Sequence, residues 1–315
     1  MNEISNISIW TWFFFNIFVV FMLILDLFVL HKKSEVISVK AALLTSSLWI
    51  FLAFIFNIGI WIYLGKEKGV NFLTGYLIEK SLSIDNLFVF LLIFDYFQTP
   101  KKYQHKVLFW GILGALIMRA FFIFFGIALV DSFHWILYLF GAFLIYASIH
   151  MVYPREKKID PENNYAIKLL KRFIPVSQNY DNDNFFTKRD GIRYATPLFI
   201  TLLVLETTDI IFAIDSIPAI MAITLDPFII YTSNIFAIMG LRSLYFALSG
   251  VMSLFHFLKY GLASILAFIG LKMLLATYID IPIGIALGFI VIALGISVGA
   301  SILYPIKTTP KSDNS

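Results

Sequence analysis

Residues 202–220 read LLVLETTDIIFAIDSIPAI, a stretch that is apolar enough to lie in a lipid bilayer but holds Glu206, Asp209 and Asp215. An ionised side chain at the centre of a membrane costs about 2.5 kcal/mol or more, and such residues usually mark a functional site. The three acids are therefore the first candidates for function in this chain.

A second stretch with the same pattern precedes it. Residues 79–90 read EKSLSIDNLFVF and place Glu79 and Asp85 six positions apart, which is also the separation of Asp209 and Asp215. The rest of the sequence is interpreted as the scaffold that brings these two acidic stretches together.

The composition identifies the class of protein. Hydrophobic residues make up 60% of the 315 residues and charged residues only 14%, whereas a soluble domain has about 25% charged residues. We therefore expect an all-α polytopic membrane protein embedded in the lipid bilayer. The sequence has no cysteine, which excludes disulfides, thiolate metal sites and cysteine nucleophiles. The net charge of +4 is explained by basic cytoplasmic loops, without a nucleic-acid partner.

Apolar runs of about 20 residues predict about nine transmembrane helices. Lysine and arginine are concentrated in alternate loops, which places the N-terminus outside and the C-terminus inside the cell, in the plasma (inner) membrane. The first run is expected to be a retained span and not a signal peptide. The predicted spans lie near Trp10–Leu30, Leu43–Leu64, Phe72–Phe97, Val107–Val130, Trp135–Tyr153, Pro197–Ile223, Phe228–Met252, Leu262–Tyr278 and Ile281–Tyr304.

The chain is predicted to form a single transmembrane domain over residues 1–306, with one sizeable cytoplasmic loop at 154–196 between two helical halves. Residues 165–176 in that loop read YAIKLLKRFIPV. They predict a basic amphipathic helix that either lies on the anionic inner leaflet or docks a partner. Residues 307–315 are expected to be a disordered tail.

The two acidic stretches fall in the third and sixth predicted spans, which cross the membrane in opposite directions. This arrangement is typical of an inverted repeat, in which the substrate site lies near the midplane, although chance similarity between short apolar segments is the alternative. Six residues turn a helix through about 600°, so a straight helix cannot aim Glu206, Asp209 and Asp215 at one ion. We therefore predict that helices three and six are interrupted and face each other, with Pro218 marking the break in the sixth.

The candidate ligands share oxygen chemistry: they are Glu79, Asp85, Asn86, Glu206, Asp209 and Asp215. Carboxylate and carbonyl oxygens suit Mg²⁺, Ca²⁺ or Mn²⁺ better than a softer metal. Hydroxyl groups next to the acids are predicted to satisfy backbone groups freed by the breaks; they belong to Ser81, Ser83, Thr207, Thr208 and Ser216.

The alternative to an ion site is a set of internal salt bridges. Arg119 and Arg242 are expected to pair with acids or to tie helices together, and Lys272 either does the same or supplies a built-in counter-charge. Asp26, near the inner end of the first span, is a candidate for lining an inner vestibule. These cations are too few to neutralise five clustered acids, and this favours the ion site.

The two acidic stretches resemble the signature segments of the TerC family of integral membrane proteins, which is associated with tellurium resistance and grouped with the lysine-exporter superfamily. Further similar segments are LDLFVLH (25–31), NIFAIMGLRSLYF (234–246), which begins with Asn234, and FIGLKML (268–274). The resemblance implies manganese efflux and, in some members, supply of metal to proteins secreted through the Sec machinery. It places the family's acidic residues on the candidate ligands named above.

Residues and resemblance together predict an exporter of a divalent cation, most specifically Mn²⁺, that works by alternating access and exchanges the ion for protons. Mn²⁺ is then the transported substrate, and no permanently bound cofactor is expected. The alternative is a non-transporting assembly factor that contacts secretion machinery or a resistance complex through loop 154–196. An intramembrane aspartyl enzyme using Asp85 and Asp215 is disfavoured because of the additional acids, so the protein is not expected to be an enzyme.

Overall fold

The protein is described by a computed structural model that covers residues 7–28, 39–152, 165–177, 179–189, 191–248, 257–279 and 281–304. Its first part consists of α1 (Ile9–Phe28), α2 (Val39–Leu64), α3 (Lys66–Tyr96), α4 (Lys101–Ser132) and α5 (Ile136–Val152). The loop that follows contains α6 (Tyr165–Phe173), β1 (Phe186–Arg189) and β2 (Ile192–Ala195). The last part consists of α7 (Pro197–Met221), α8 (Pro227–Ile238), α9 (Leu241–Leu248), α10 (Leu258–Leu275) and α11 (Ile283–Leu303).

The prediction of an all-α polytopic membrane protein is confirmed. Within the described ranges, seven helical segments are long and apolar enough to cross a membrane, with α8 and α9 forming one of them. The helix α5 is slightly shorter, and α3 carries Glu79, Lys80 and Asp85 within its apolar sequence. Each predicted span thus contains a helix, while the total of nine crossings and the orientation stay predictions. The predicted tail at 307–315 lies outside the described residues.

The third predicted span, α3, lies in the interior of the bundle. It contacts α2, α7, α8 and α11. Near its start, a methyl group on Gly75 would lie 2.6 Å from Ile220 Cδ1, at the end of α7. Just beyond its other end, Thr99 Oγ1 lies 3.4 Å from Thr201 Oγ1, at the start of α7. The two acidic helices therefore face each other and run in opposite directions, as predicted; the inverted repeat itself stays a prediction.

The predicted interruption of these two helices is wrong. Both α3 and α7 are helical without a gap, and Pro218 lies inside α7 close to its C-terminal end. Proline there removes one hydrogen bond of the last turn, and the helix continues through it. Asp215 lies about 120° around α7 from Asp209, so the unbroken helix does not direct its three acids at one point.

The interruption occurs in the seventh predicted span, between α8 and α9. Gly240 separates them with a φ of +83°, the left-handed conformation in which a glycine commonly ends a helix. A side chain at this position would also meet Trp49 of α2, whose Cδ1 atom would be 2.7 Å away. The break leaves the carbonyl group of Ala237 available, and the buried Lys80 Nζ donates to it at 3.2 Å.

Glycines on α4 allow α7 to approach it closely. Methyl groups placed on Gly111 and Gly126 would each come within 2.6 Å of a side chain of α7, those of Leu205 and Met221. Small residues at such positions are a common way of packing helices in membranes. Gly111 precedes Gly126 along α4, and their partners Leu205 and Met221 follow each other in the same order along α7. The two helices therefore run in the same direction.

The described part of the loop between α5 and α7 contains more secondary structure than the sequence analysis predicts. The predicted amphipathic helix is present as α6, and its Ile167 is buried. An antiparallel hairpin of β1 and β2 follows it, with Phe186 opposite Ala195. The sequence analysis missed this hairpin, although the dipeptide Asp190-Gly191 is a strong hairpin signal. The turn before β1 is joined to α4 by an ion pair between Asp183 and Lys106 at 3.0 Å.

Candidate functional site

A single arginine joins four helices in the interior of the bundle. Arg119 of α4 donates from Nη1 to Glu79 Oε2 of α3 at 2.5 Å. The same nitrogen donates to Ser216 Oγ of α7 at 3.0 Å and to Asn234 Oδ1 of α8 at 3.3 Å. Arg119 Nε lies 3.7 Å from Asp209 Oδ2 of α7, an ion-pair distance that is too long for a hydrogen bond. We call these five residues the Arg119 cluster.

The Arg119 cluster is almost completely shielded from solvent. Glu79 is 0% exposed, Arg119 1% and Asp209 5%. At 1.5 Å of rise per residue, Glu79 lies about 20 Å along α3 from its first residue, and Asp209 lies at the middle of α7. Both positions are deep within a hydrocarbon layer of about 30 Å. Charges at this depth are stable only with partners, which Arg119 provides for two carboxylates.

Glu206 extends the acidic site towards α4. It lies one helical turn before Asp209, so both side chains share one side of α7. Its carboxylate occupies the space beside Gly114, where a methyl group would collide with both of its oxygen atoms. Because only a glycine leaves this space free, Gly114 determines where the Glu206 carboxylate lies. The sequence analysis missed Gly114, although Gly111 and Gly114 are spaced to lie on one face of α4.

Several buried polar atoms of this region have no hydrogen-bond partner within the described residues; they are Glu79 Oε1, Glu206 Oε2, Asp209 Oδ2 and Asn234 Nδ2. Buried polar atoms in native proteins are normally paired, and exceptions tend to occur where function requires them. Three of the four are carboxylate oxygens, which are ligands that a hard cation prefers.

The remaining predicted ligands lie outside the Arg119 cluster. Asp85 and Asp215 are half-buried and Asn86 is buried. Among the described residues, Arg119 forms ion pairs with Glu79 and Asp209, and no group of three or more acids or histidines is placed to hold a metal ion. The structure thus brings together two of the predicted acids around an arginine, and the six-residue ligand set stays a prediction.

The hydroxyl groups predicted to satisfy freed backbone atoms mostly bond within their own helices. Ser81 donates to Leu77 O at 2.5 Å, and Thr208 donates to Val204 O at 2.7 Å. Thr207 donates to carbonyl groups of the preceding turn in the same way. Since the helices are unbroken, these hydroxyls have no freed backbone groups to satisfy, and they occupy the usual i−4 arrangement of a helix. Ser83 is buried, and Ser216 belongs to the Arg119 cluster.

A second buried arginine is paired separately. Arg242 of α9 lies 2.7 Å from Asp26 Oδ2 of α1, and it also donates to the backbone oxygen of Asp26 at 2.8 Å. The expectation that both arginines pair with acids and tie helices together is therefore confirmed. Lys272 of α10 donates to Ala222 O at the end of α7, at 3.4 Å.

The N-terminal ends of α3 and α8 are connected by a residue that the sequence analysis did not single out. Asp226 caps α8 by accepting a hydrogen bond from Phe228 N at 3.0 Å. It also forms an ion pair of 2.9 Å with Lys68 of α3. The signal for this cap is present in the sequence, because an aspartate directly before a proline is a common beginning of a helix.

The fold and the site together define an integral membrane protein with an ionisable site buried between its helices. Comparison with known proteins makes the assignment specific. The chain matches the Integral membrane protein TerC family over residues 64–309, and it belongs to that family.

Similar proteins cover nearly the whole chain. The chain is 48% identical over 302 residues to "Uncharacterized membrane protein STKORF319" of Myxococcus xanthus, which covers 96% of this chain and 94% of that protein. It is 44% identical over 299 residues to "Putative membrane-bound redox modulator Alx" of Salmonella typhi, with 92% of each chain covered. An "Uncharacterized membrane protein" of Rickettsia bellii is 44% identical over 293 residues, with 93% and 97% covered. No solved structure matches the chain.

Proposed function

We propose that the protein exports a divalent cation, with Mn²⁺ as the substrate, across the plasma membrane by alternating access. The observation that carries this proposal is the pair of buried carboxylates, Glu79 and Asp209, on facing antiparallel helices near the middle of the membrane. Ionisable groups at this depth usually mark an ion or substrate pathway. Facing helices of opposite direction are a common setting for the substrate site of secondary transporters.

The chemistry of the site favours a hard cation. Glu79, Glu206 and Asp209 supply only oxygen atoms, which suit Mg²⁺, Ca²⁺ and Mn²⁺. Protons compete with metal ions for the same carboxylates, so proton exchange is the proposed driving force. An oxyanion such as tellurite would be repelled by these acids, and a contribution to tellurium resistance would therefore come from metal homeostasis.

The name of the Salmonella relative mentions redox modulation. Metal export by this chain could affect the redox state of the cell indirectly. The 315 residues contain no cysteine, so no thiol of this chain can carry a redox reaction. Mn²⁺ itself supports redox enzymes and antioxidant chemistry through the proteins that bind it. In our proposal, an effect on cellular redox state would follow from changed Mn²⁺ concentration.

A second candidate function is that of a non-transporting assembly factor. The loop between α5 and α7 favours it, because α6 buries Ile167 against the bundle while Leu169 and Phe173 are 59% and 74% exposed. Lys171 and Arg172 lie on the same short helix. Such a basic, partly apolar surface can lie on anionic lipid or contact secretion machinery.

Ion flux in vesicles tests the proposal. Purified protein in liposomes should move Mn²⁺, and a comparison with Ca²⁺, Mg²⁺ and Zn²⁺ at two pH gradients would establish the substrate and the proton dependence. Asp209→Asn should abolish the flux, whereas Asp183→Asn, which removes a carboxylate outside the membrane spans, should retain it. Absence of flux in the wild-type protein for all four ions would refute transport and leave the assembly factor.

A further inference from the structure

The guanidinium group of Arg119 stands where a cation would have to bind in order to contact both central acids. Its Nη1 atom is 2.5 Å from Glu79 Oε2, and its Nε atom is 3.7 Å from Asp209 Oδ2. A divalent cation binds carboxylate oxygens at about 2.0–2.6 Å. An ion that bridged these two carboxylates would therefore overlap the guanidinium group.

We propose that Arg119 is a tethered substitute for the transported cation. Its guanidinium group offsets the negative charge of Glu79 and Asp209 until a divalent ion replaces it. This inference rests on the proposed function and adds to it a specific exchange within the site. The exchange moves one side chain: Arg119 withdraws from the two carboxylates, and the ion takes its place between them. The replacement of Arg119 by the ion involves no covalent change.

The way in which Arg119 is held supports an exchange. Arginine and carboxylate groups frequently pair through two parallel hydrogen bonds, which make the pair stronger and fix its geometry. Here all three hydrogen bonds of the side chain begin at Nη1, and Nε makes none within the described residues. Glu79 is thus held through one of its oxygens, while its Oε1 atom has no hydrogen-bond partner in the same part of the chain.

Neutral acceptors beside the carboxylates give Arg119 partners after it withdraws. Ser216 Oγ accepts from Nη1 at 3.0 Å and Asn234 Oδ1 at 3.3 Å, and both residues are almost completely buried. A guanidinium group has five N–H donors, so it can keep these contacts while it releases the acids. Ser216 and Asn234 are therefore positioning residues for Arg119 in this proposal.

A tethered cation also explains how the transporter can return after it has released its ion. Two buried carboxylates without a counter-charge would strongly oppose any rearrangement of α3 against α7. With Arg119 between them, one of the two negative charges is balanced, and a proton on the carboxylates can balance the other, so the helices can change position. The charge of Arg119 also repels an incoming divalent ion, so the same residue weakens binding and assists release.

Binding of Mn²⁺ to purified protein, measured by equilibrium dialysis, tests the exchange directly. Replacing Arg119 with glutamine should tighten Mn²⁺ binding by about tenfold or more, since a competing positive charge is removed. Arg242→Gln is the matched control: it removes a buried arginine that pairs with Asp26, outside the Arg119 cluster, and should not tighten binding. Unchanged or weaker binding by Arg119→Gln would overturn the inference, while Mn²⁺ transport by the wild type would still stand.

Transport in vesicles provides a second readout. For Arg119→Gln we expect net Mn²⁺ efflux to fall at least tenfold, with Mn²⁺/Mn²⁺ exchange reduced much less, because exchange does not require the unloaded carrier to return. Equal loss of both modes would contradict a role in the return step. If the glutamine variant does not fold, Ser216→Ala serves instead. It removes a neutral acceptor that holds Arg119 after it withdraws, so Mn²⁺ should bind more weakly, and unchanged binding would then overturn the inference. A wild-type protein that neither binds nor moves Mn²⁺ would refute the proposed function itself.

Discussion

The carboxylate of Glu206 on α7 lies directly beside the backbone of Gly114 on α4, in space that any other residue at position 114 would fill. The contact joins a predicted ion ligand to a glycine of the neighbouring helix. It means that the position of this acid depends on a residue that carries no functional group.

Gly114→Ala should reduce Mn²⁺ transport with little loss of stability. The added methyl group would displace the Glu206 carboxylate, which is the end of a flexible side chain, so we expect a cost at the lower end of overpacking, about 1 kcal/mol in the free energy of unfolding. Gly288→Ala on α11 is a suitable control, because nothing lies within 4 Å of a methyl group there. Flux in vesicles and thermal unfolding in detergent would measure the two effects. Normal flux in Gly114→Ala would show that the position of Glu206 is unimportant.

The buried ion pair between Glu79 and Arg119 should matter for stability, because removing one partner leaves the charge of the other partner buried. Arg119→Gln leaves the buried carboxylates of Glu79 and Asp209 without their shared partner, and we expect it to destabilise the protein by about 3–5 kcal/mol. Glu79→Gln should cost less, because Arg119 still has Asp209 at 3.7 Å. The double variant should lose less than the sum of the two single variants, because neither member of this pair is then charged. Unfolding in detergent measures all three.

The pair between Lys106 and Asp183 provides the comparison for that cycle. Its side chains are 27% and 56% exposed, and an exposed ion pair contributes only about 0–1 kcal/mol. If the two pairs had similar coupling energies, burial would not make the interior pair stronger than the exposed one.

Gly240→Ala should destabilise the protein more than Gly191→Ala. Both glycines have positive φ angles, +83° and +81°, so alanine is strained at both positions by roughly 1–2 kcal/mol, and a methyl group on Gly191 would meet nothing within 4 Å. Only Gly240 also faces a buried side chain, that of Trp49, and its replacement should cost about 1–3 kcal/mol more because of overpacking. The difference in free energy of unfolding between the two variants isolates this contact, and a difference near zero would argue against the close packing of α2 on the α8–α9 break.

The loop carboxylate of Asp183 should titrate at an unusually low pH. The hydrogen bond from the Lys106 ammonium lowers the pKa of this carboxyl below its ordinary value of 3.8. A group with a lowered pKa in the folded protein stabilises it above the pKa of the unfolded chain, and this stabilisation is lost as the pH falls through the folded pKa. The link between α4 and the turn before β1 should therefore persist down to about pH 4 and weaken only below it.

Carbon-13 NMR of Asp183 would measure this pKa directly. Lys106→Met should raise it towards the ordinary value, since the hydrogen bond and the nearby positive charge are both removed. The same midpoint in the wild type and in Lys106→Met would show that the ion pair does not form in solution.

Much of the fold could be predicted because apolar run length and basic loops are direct consequences of membrane insertion. The opposite directions of α3 and α7 followed from the same reasoning. The position of the helix break could not be predicted in this way, because the prediction assumed that the acids of α7 converge on one ion. A straight α7 simply separates Asp209, which lies in the Arg119 cluster, from Asp215, which lies six residues away on another side.

The acidic residues of the candidate site could be predicted from the sequence, but the contacts between them and Arg119 could not. Buried carboxylates stand out in an apolar sequence, whereas the partner of Glu79 is 40 residues away on α4. Only the packing of four helices decides that Arg119 meets Glu79 and Asp209 together. Gly240 could have predicted the break between α8 and α9, since glycine often follows the last turn of a helix. The break was missed because Gly240 lies in an otherwise apolar segment that was interpreted as one span.

The burial of α8 has a consequence for the way the protein is made. All its residues from Phe228 to Ile238 are buried, and it contacts α3 and α4, which the ribosome completes much earlier. A helix with no lipid-facing side cannot simply be added to the outside of a finished bundle. The earlier helices must therefore stay apart in the bilayer until α8 arrives, so the interior site can form only when biosynthesis is nearly complete.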